Sequence, residues 1–180
     1  MIQEQELKTF VEGTTNYFEV AAQQPASIGS PYLVTEGTPS CHEYTGMISI
    51  TGKREGVVYF TAPKAMLTVL LMKMQESDFS HETMRDLVGE VANTISGNAR
   101  KDFGRDFVIS VPSVLSGEKP EIPSAAGTRS FVIPINWRSH SAKLIVALKY
   151  FSTLFATYMN AQTQARARAC GVERPRVNEF

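Results

Sequence analysis

Two amphipathic segments with the same apolar spacing, each leading into the same series of extended segments, constrain this chain more than any single motif. Residues 4–22 place Leu7, Phe10, Val11, Thr14, Phe18, Ala21 and Ala22 on one side of a helix that ends before Pro25. At one constant offset Leu7, Phe10, Val11, Phe18 and Ala22 fall on Met84, Leu87, Val88, Ile95 and Ala99, so a second helix repeats the pattern. After the first helix come an extended segment, Pro31 to Val34, and two strands, Gly46 to Ile50 and Gly56 to Thr61, around the turn residues Gly52-Lys53-Arg54-Glu55. After the second come Phe107 to Val111 before Pro112, then Phe131 to Ile135 and Lys143 to Tyr150, joined through Asn136 to Ser141. Pro134 lacks the N–H that a ladder needs, which predicts an edge or a bulge in its strand. A connecting helix from Pro63 to Gln75 carries Ala65, Met66, Val69, Leu70 and Met72, and the polar residues of Ser77-Asp78-Phe79-Ser80 are available to cap the helix that follows. Helices beside hairpins predict an α/β chain with α+β layering.

Beyond this repeat, Phe151, Leu154, Phe155, Tyr158 and Met159 recur at helical spacing, so residues 151–180 read as a helical extension of a domain spanning 1–150. Arg166, Arg168, Arg174 and Arg176 with Glu173 among them read as a solvated end rather than a phosphate-binding tail. Lysines and arginines number 18 and so do the acidic residues, so no net field argues for nucleic acid or an anionic membrane as partner. The start lacks a basic region with an apolar core behind it, and no run approaches the roughly 20 apolar residues of a membrane span, which predicts a cytoplasmic location. Cys41 and Cys170 lie far apart with no CxxC spacing, which favours reduced thiols over a disulfide framework. His42 beside Cys41 is the sole adjacency of metal-ligating types among the cysteines and histidines, and neighbouring side chains diverge, so no metal site is expected.

The second helix carries the candidate site. Asp86, Glu90, Asn93 and Gly97 fall opposite its apolar arc, and each glycine inside a helix costs about 1 kcal/mol relative to alanine. Gly89 and Gly97 are therefore expected to leave a smooth surface on which a partner docks, with Asp86, Gly89 and Gly97 as contact residues. An ordinary solvated face is the competing reading.

Asp86-xxx-Glu90-xx-Asn93, then Ile95-Ser96-Gly97-Asn98-Ala99, then Ile109-Ser110-Val111-Pro112-Ser113-Val114 with Gly117 behind it, resemble the signature of the CheC/CheX/FliY phosphatases of bacterial chemotaxis, CheX above all. Gly46-Met47-Ile48-Ser49-Ile50-Thr51-Gly52 and Gly56-Val57-Val58-Tyr59-Phe60 resemble the family's first hairpin, so the likeness runs from about residue 5 to residue 150. The stretch from Asn93 to Pro112 is a few residues shorter than the family usually has, and the C-terminal extension is foreign to its small members.

The resemblance implies two long helices on a largely antiparallel sheet with a pseudo-two-fold internal repeat. It implies dephosphorylation of a receiver domain resembling CheY, with Asn93 holding the attacking water and Glu90 pairing with the regulator's lysine. Asp86 would support the contact, and Asn98 and Pro112 would complete the motif. No cofactor is implied for this chain, because magnesium is expected on the partner. Such proteins pair as homodimers. In the first helix Thr9, Gly13 and Asn16 take the places of Asp86, Glu90 and Asn93, so the carboxylate is missing and one working site per chain is expected. The alternative function is a non-catalytic module that binds a receiver domain or a flagellar or signalling component through the same face. A lesser one, a sensor of a small ligand between the repeats, finds no Gly-rich phosphate loop.

Overall fold

The structure is a computed structural model that describes residues 4–34, 37, 39–117 and 129–150. In chain order these form α1 (Glu4–Ala21), β1 (Ser27–Ile28), β2 (Tyr32–Val34), β3 (Tyr44–Gly52), β4 (Arg54–Ala62), α2 (Lys64–Lys73), α3 (His81–Phe103), β5 (Phe107–Ile109), β6 (Ser113–Ser116), β7 (Ser130–Trp137) and β8 (His140–Tyr150). Chain contacts separate Met1–Tyr150 from Phe151–Phe180, and the latter, with the expected C-terminal helix, its arginines and Cys170, lies outside the described residues. Among the described residues no helix is long and apolar enough to cross a membrane.

The strands join in one eight-stranded sheet of order β1-β7-β8-β4-β3-β5, with β2 also on β7 and β6 also on β3. Every pairing is antiparallel. The short strands cross over: β1 and β2 precede β3 yet pair with β7, whereas β5 and β6 follow α3 yet pair with β3. Long strands extend past their sequence boundaries because their ends find outer partners. Beyond Ile50↔Gly56, for example, Thr51 and Gly52 pair with β5, while Arg54 and Glu55 pair with β8.

Two of the sheet's outer rows are interrupted in the same way. β1 pairs with Asn136 and Ile135 and β2 resumes at Val132, so Gly29, Ser30 and Pro31 oppose only Ile133 and Pro134. On the other side Ser110, Val111 and Pro112 oppose only Ile48 and Ser49. Each is a bulge, with one residue too many on the outer row. Gly29 N–H donates to the Pro134 carbonyl at 2.9 Å, so the side on which Pro134 lacks a donor is the side on which its partner strand is broken. The interruption expected at Pro134 thus lies in the row opposite it: β7 runs unbroken along β8 and is not an edge, so the strand that carries the proline is itself regular. The segment expected to run as one strand from Phe107 to Val111 instead stops at Ile109, because Ser110 Oγ accepts from the Ser49 N–H at 3.0 Å in place of a ladder carbonyl.

α1, α2 and α3 contribute to one core with the sheet positions Ile48, Ile50, Val58, Phe60, Ile133, Ile135, Leu144, Val146 and Leu148. The alternate residues Tyr59, Val132 and Ile145 form a smaller buried cluster, as the two-residue period of a strand requires. α1 and α3 pack antiparallel, with Phe10 against Phe103 at 5.7 Å between ring centroids and Gly13 facing Ile95 and Asn98. α2 buries Met66, Leu67, Leu70 and Leu71; Met72 and Ala65 of the predicted apolar set are exposed. A buried ion pair between Glu6 and Arg54 fastens the start of α1 to β4.

Candidate functional site

α3 begins at a built cap. Ser80 Oγ accepts from the Thr83 N–H at 3.2 Å, Asp78 accepts from both the N–H and hydroxyl of Ser80, and Glu82 lies in the first, electropositive turn. Hydrogen bonds from the Thr83 hydroxyl, and then from the Ser80 hydroxyl and N–H, hold the Asp78 carboxyl below its ordinary range. The far end stops at Gly104, with φ 84°, whose N–H donates to the Arg100 carbonyl at 2.9 Å.

Polar contacts and close packing then fix the helix against β3 and β6. Arg85 donates to Ser116 Oγ at 2.7 Å and to the Val114 carbonyl at 3.2 Å, and His81 lies between Tyr44 Oη at 2.8 Å and Ser116 Oγ at 3.3 Å. A Cβ on Gly46 would stand 3.0 Å from Gly89 Cα and 2.8 Å from the Val88 carbonyl carbon. The backbones therefore meet where both residues lack a side chain. A Cβ on Gly89 would stand 3.1 Å from Val114 Cγ2 and 3.3 Å from Pro112 Cβ. Gly89 is buried beneath the bulge, which corrects its expected place on the docking surface. Its role is close approach, and the cost of a helical glycine is met by packing rather than by a partner. Pro112, exposed on its outer side, is the lid over Gly89, and the same bulge leaves Val111 82% exposed.

With the core side thus held, Asp86, Glu90 and Asn93 are all exposed along the outward stripe of α3. Glu90 and Asn93 are three residues apart, which sets their Cβ atoms about 5–6 Å from each other. Gly97 continues the stripe: nothing lies within 4 Å of where its Cβ would be, so an open position is found there. Asn98 instead turns toward α1 beside Gly13 and accepts from Lys101 Nζ at 3.1 Å, so it belongs to the helix pair and not to the stripe. Ser96, within the same motif, is fully buried with its hydroxyl unpartnered.

α1 does not present a second copy of the stripe. Thr9 and Gly13 are buried, and Asn16 alone of the matching three is exposed. Tyr17, which the sequence pattern passes over in favour of Phe18, is 5% exposed with its hydroxyl buried and unpartnered. Burial and then the Glu90 carboxylate push its phenol well above the ordinary range, so the two side chains are electrostatic neighbours across the helix pair. Its one available signal was a hydroxyl beside the apolar side of an amphipathic helix. Elsewhere His42 is half-buried and distant in sequence from the stripe, and among the described residues no group of three or more His, Cys, Asp or Glu converges to hold a metal ion.

Residues 44–136, a span containing all of α3 and most of the sheet, match the family described as chemotaxis phosphatase CheX. No curated relative matches the chain. Among solved structures, the chain is similar to the chemotaxis protein CheX of Desulfovibrio desulfuricans at 25% identity, covering 81% of this chain and 99% of that one with a TM-score of 0.70. A CheC-like superfamily protein from Shewanella sp. PV-4 is 21% identical over 82% of this chain and 99% of its own, with a TM-score of 0.71. A CheX–CheY complex with BeF3 and Mg2+ from Borrelia burgdorferi supplies a third likeness, 20% identical over 80% and 97%, with a TM-score of 0.64. At 20–21% identity the likeness is one of fold.

Proposed function

Since the chain belongs to the CheX family of chemotaxis phosphatases, we propose that its α3 stripe docks on a phosphorylated CheY-like receiver domain and speeds hydrolysis of the aspartyl phosphate. The observation that carries this reading is the exposure of Glu90 and Asn93 together on a helix whose other side is clamped to the sheet. The Borrelia relative was captured with CheY, BeF3 and Mg2+, which supports a receiver domain as the partner.

The division of labour follows from the side chains. A carboxamide donates from nitrogen and accepts at oxygen. Asn93 Oδ1 takes a hydrogen bond from the attacking water, and the amide nitrogen donates to a phosphoryl oxygen, so the water lone pair points along the line of the breaking bond. The water oxygen bonds to phosphorus, the aspartyl oxygen leaves as carboxylate, and the water proton departs with inorganic phosphate. Magnesium belongs to the regulator and neutralises phosphoryl charge there; this chain contributes orientation, which is worth several kcal/mol of barrier. Glu90, one turn away, pairs with the regulator's lysine and sets the register in which Asn93 reaches the phosphate, a charge-assisted contact worth about 1.5–3 kcal/mol. Asp86 adds negative charge at the rim.

The reading includes one site per chain, which the burial of Gly13 and Thr9 supports, and a two-fold internal repeat, which the recurrence of a helix, two short strands and two long strands supports. The same reading includes a cytoplasmic location and a homodimer, the latter tested by sedimentation of the purified chain. The decisive assay follows phosphate loss from a cognate regulator. Asn93→Ala is expected to lower the rate about 10²-fold while leaving binding of a BeF3-activated regulator in place. If no regulator of the host loses phosphate faster in the presence of the wild-type protein, the face is a binding module and the catalytic reading fails.

A further inference from the structure

Tyr17 is unusual for a residue of α1. Its ring packs edge-on against Phe18 at 5.5 Å, and it is 5% exposed, yet its hydroxyl has no hydrogen-bond partner. A buried donor left unmade is costly, and native structures carry few of them. If the ring were present only to fill space, phenylalanine would serve better. The helix pair locates the hydroxyl: Phe10 of α1 meets Phe103 of α3, and Gly13 meets Ile95 and Asn98, so one further turn along antiparallel α1 brings Tyr17 level with the stretch of α3 that holds Glu90 and Asn93. The upward push of Glu90 on the Tyr17 phenol agrees with that placement.

We propose that Tyr17 is a positioning residue for Glu90: its hydroxyl donates to one oxygen of the carboxylate, transiently in the free chain and persistently when a partner covers the stripe, and leaves the other oxygen for an incoming ammonium group. The proposal rests on the reading of Glu90 as the docking carboxylate. A glutamate on an exposed helix face samples many rotamers, and choosing one on docking costs conformational entropy. A donor fixed in the core below it reduces that cost, because the Tyr17 ring is already immobile. The carboxylate has acceptor sites enough for both contacts. Covering the face with a partner excludes water, which strengthens the hydrogen bond at the moment it is needed. Tyr17 lies on α1, outside residues 44–136 that match the family, so the motif residues of α3 would be served by a helix that the family match does not include.

Tyr17→Phe removes the hydroxyl alone. Its denaturation midpoint is expected to equal or exceed that of the wild type, since an unpartnered polar atom is lost; a lower midpoint would mean that the hydroxyl is structural and would overturn the proposal. Against a phosphorylated regulator, KM is expected to rise about tenfold with kcat unchanged, and the same substitution made in Glu90→Ala should add nothing further. An unchanged KM, or an equal effect with and without Glu90, refutes the coupling. If the wild-type protein turns over no regulator, the proposed function has failed by itself. The Glu90 δ-carboxyl 13C resonance of the free protein then decides the Tyr17 proposal: a change of shift in Tyr17→Phe supports it, and identical shifts reject it.

Discussion

Gly46→Ala probes the link between fold and site more directly than any change on the stripe itself. The new Cβ would lie 2.8 Å from the Val88 carbonyl carbon and 3.0 Å from Gly89 Cα. Carbon atoms in good contact are about 3.5–4.0 Å apart, so α3 and β3 must separate by about 0.5–1 Å. The Val88 carbonyl oxygen is nearer still, and since all three obstacles are backbone, no side-chain rotamer relieves them. Overpacking of a core costs about 1–3 kcal/mol, and the absence of a soft neighbour places this substitution at the upper end. Urea denaturation should show that loss as a lower midpoint at an unchanged slope, the sign of altered stability without a change in the surface exposed. The displaced segment is Val88-Gly89, immediately before Glu90, so the rate of regulator dephosphorylation should fall by up to about 10²-fold even in conditions where the variant is fully folded. A displacement of α3 would be visible in the NMR shifts of Glu90 and Asn93. If Gly46→Ala unfolds at the wild-type midpoint and keeps its activity, the glycine contact does not position the site and the argument linking it to the stripe is wrong.

Gly97→Ala should do the opposite to stability: a Cβ there meets nothing within 4 Å, so the variant gains up to about 1 kcal/mol in the same titration, while the added methyl on the stripe weakens binding of a BeF3-activated regulator measured by calorimetry. Glu6→Ala breaks an ion pair whose side chains are only 9–12% exposed and should cost about 3–5 kcal/mol in thermal or chemical denaturation. Lys53→Ala, at the exposed pair with Asp106, should leave the midpoint unchanged. For His42, burial and then Lys143 push the imidazole below its ordinary value of 6.5, with Glu43 opposing. The unfolded chain therefore binds the proton first, and the stability contributed by neutral His42 is present above 6.5 and declines as pH falls through the folded value. A denaturation series across that window should be flatter for His42→Asn; an unaltered pH profile would exclude the assignment.

Periodicity made the helices legible. Phe10, Phe18, Leu87, Val88 and Ile95 are local signals, each fixed by neighbours three and four places away, and all lie in the core. The exposure of Asp86, Glu90 and Asn93 follows from the same spacing. Gly89 was not legible, because what fills the space above a glycine is a residue distant in sequence, and Pro112 and Val114 reach it only through the bulge. That bulge also explains why the Phe107 strand ends early: Ser110 looks like a strand residue until its side chain replaces a main-chain acceptor for Ser49. Tyr17 escaped for a related reason. Its meaning lies in the antiparallel apposition of two helices, and neither helix announces the other in its own residues.

The crossing of the short strands has a consequence for how the chain comes to exist at all. β1 and β2 emerge early in synthesis, yet the strand that receives them, β7, follows about a hundred residues later. At a synthesis rate of about 5–20 residues per second, Ser27–Val34 must wait roughly 5–20 s before a partner edge leaves the ribosome. During that interval the first helix and hairpin can form, but their outer row has nowhere to go, and β3 waits likewise for β5 and β6. Neither half can finish its own sheet, so each half, made alone, should be prone to aggregate, and mixing the two separately expressed halves should restore a soluble protein.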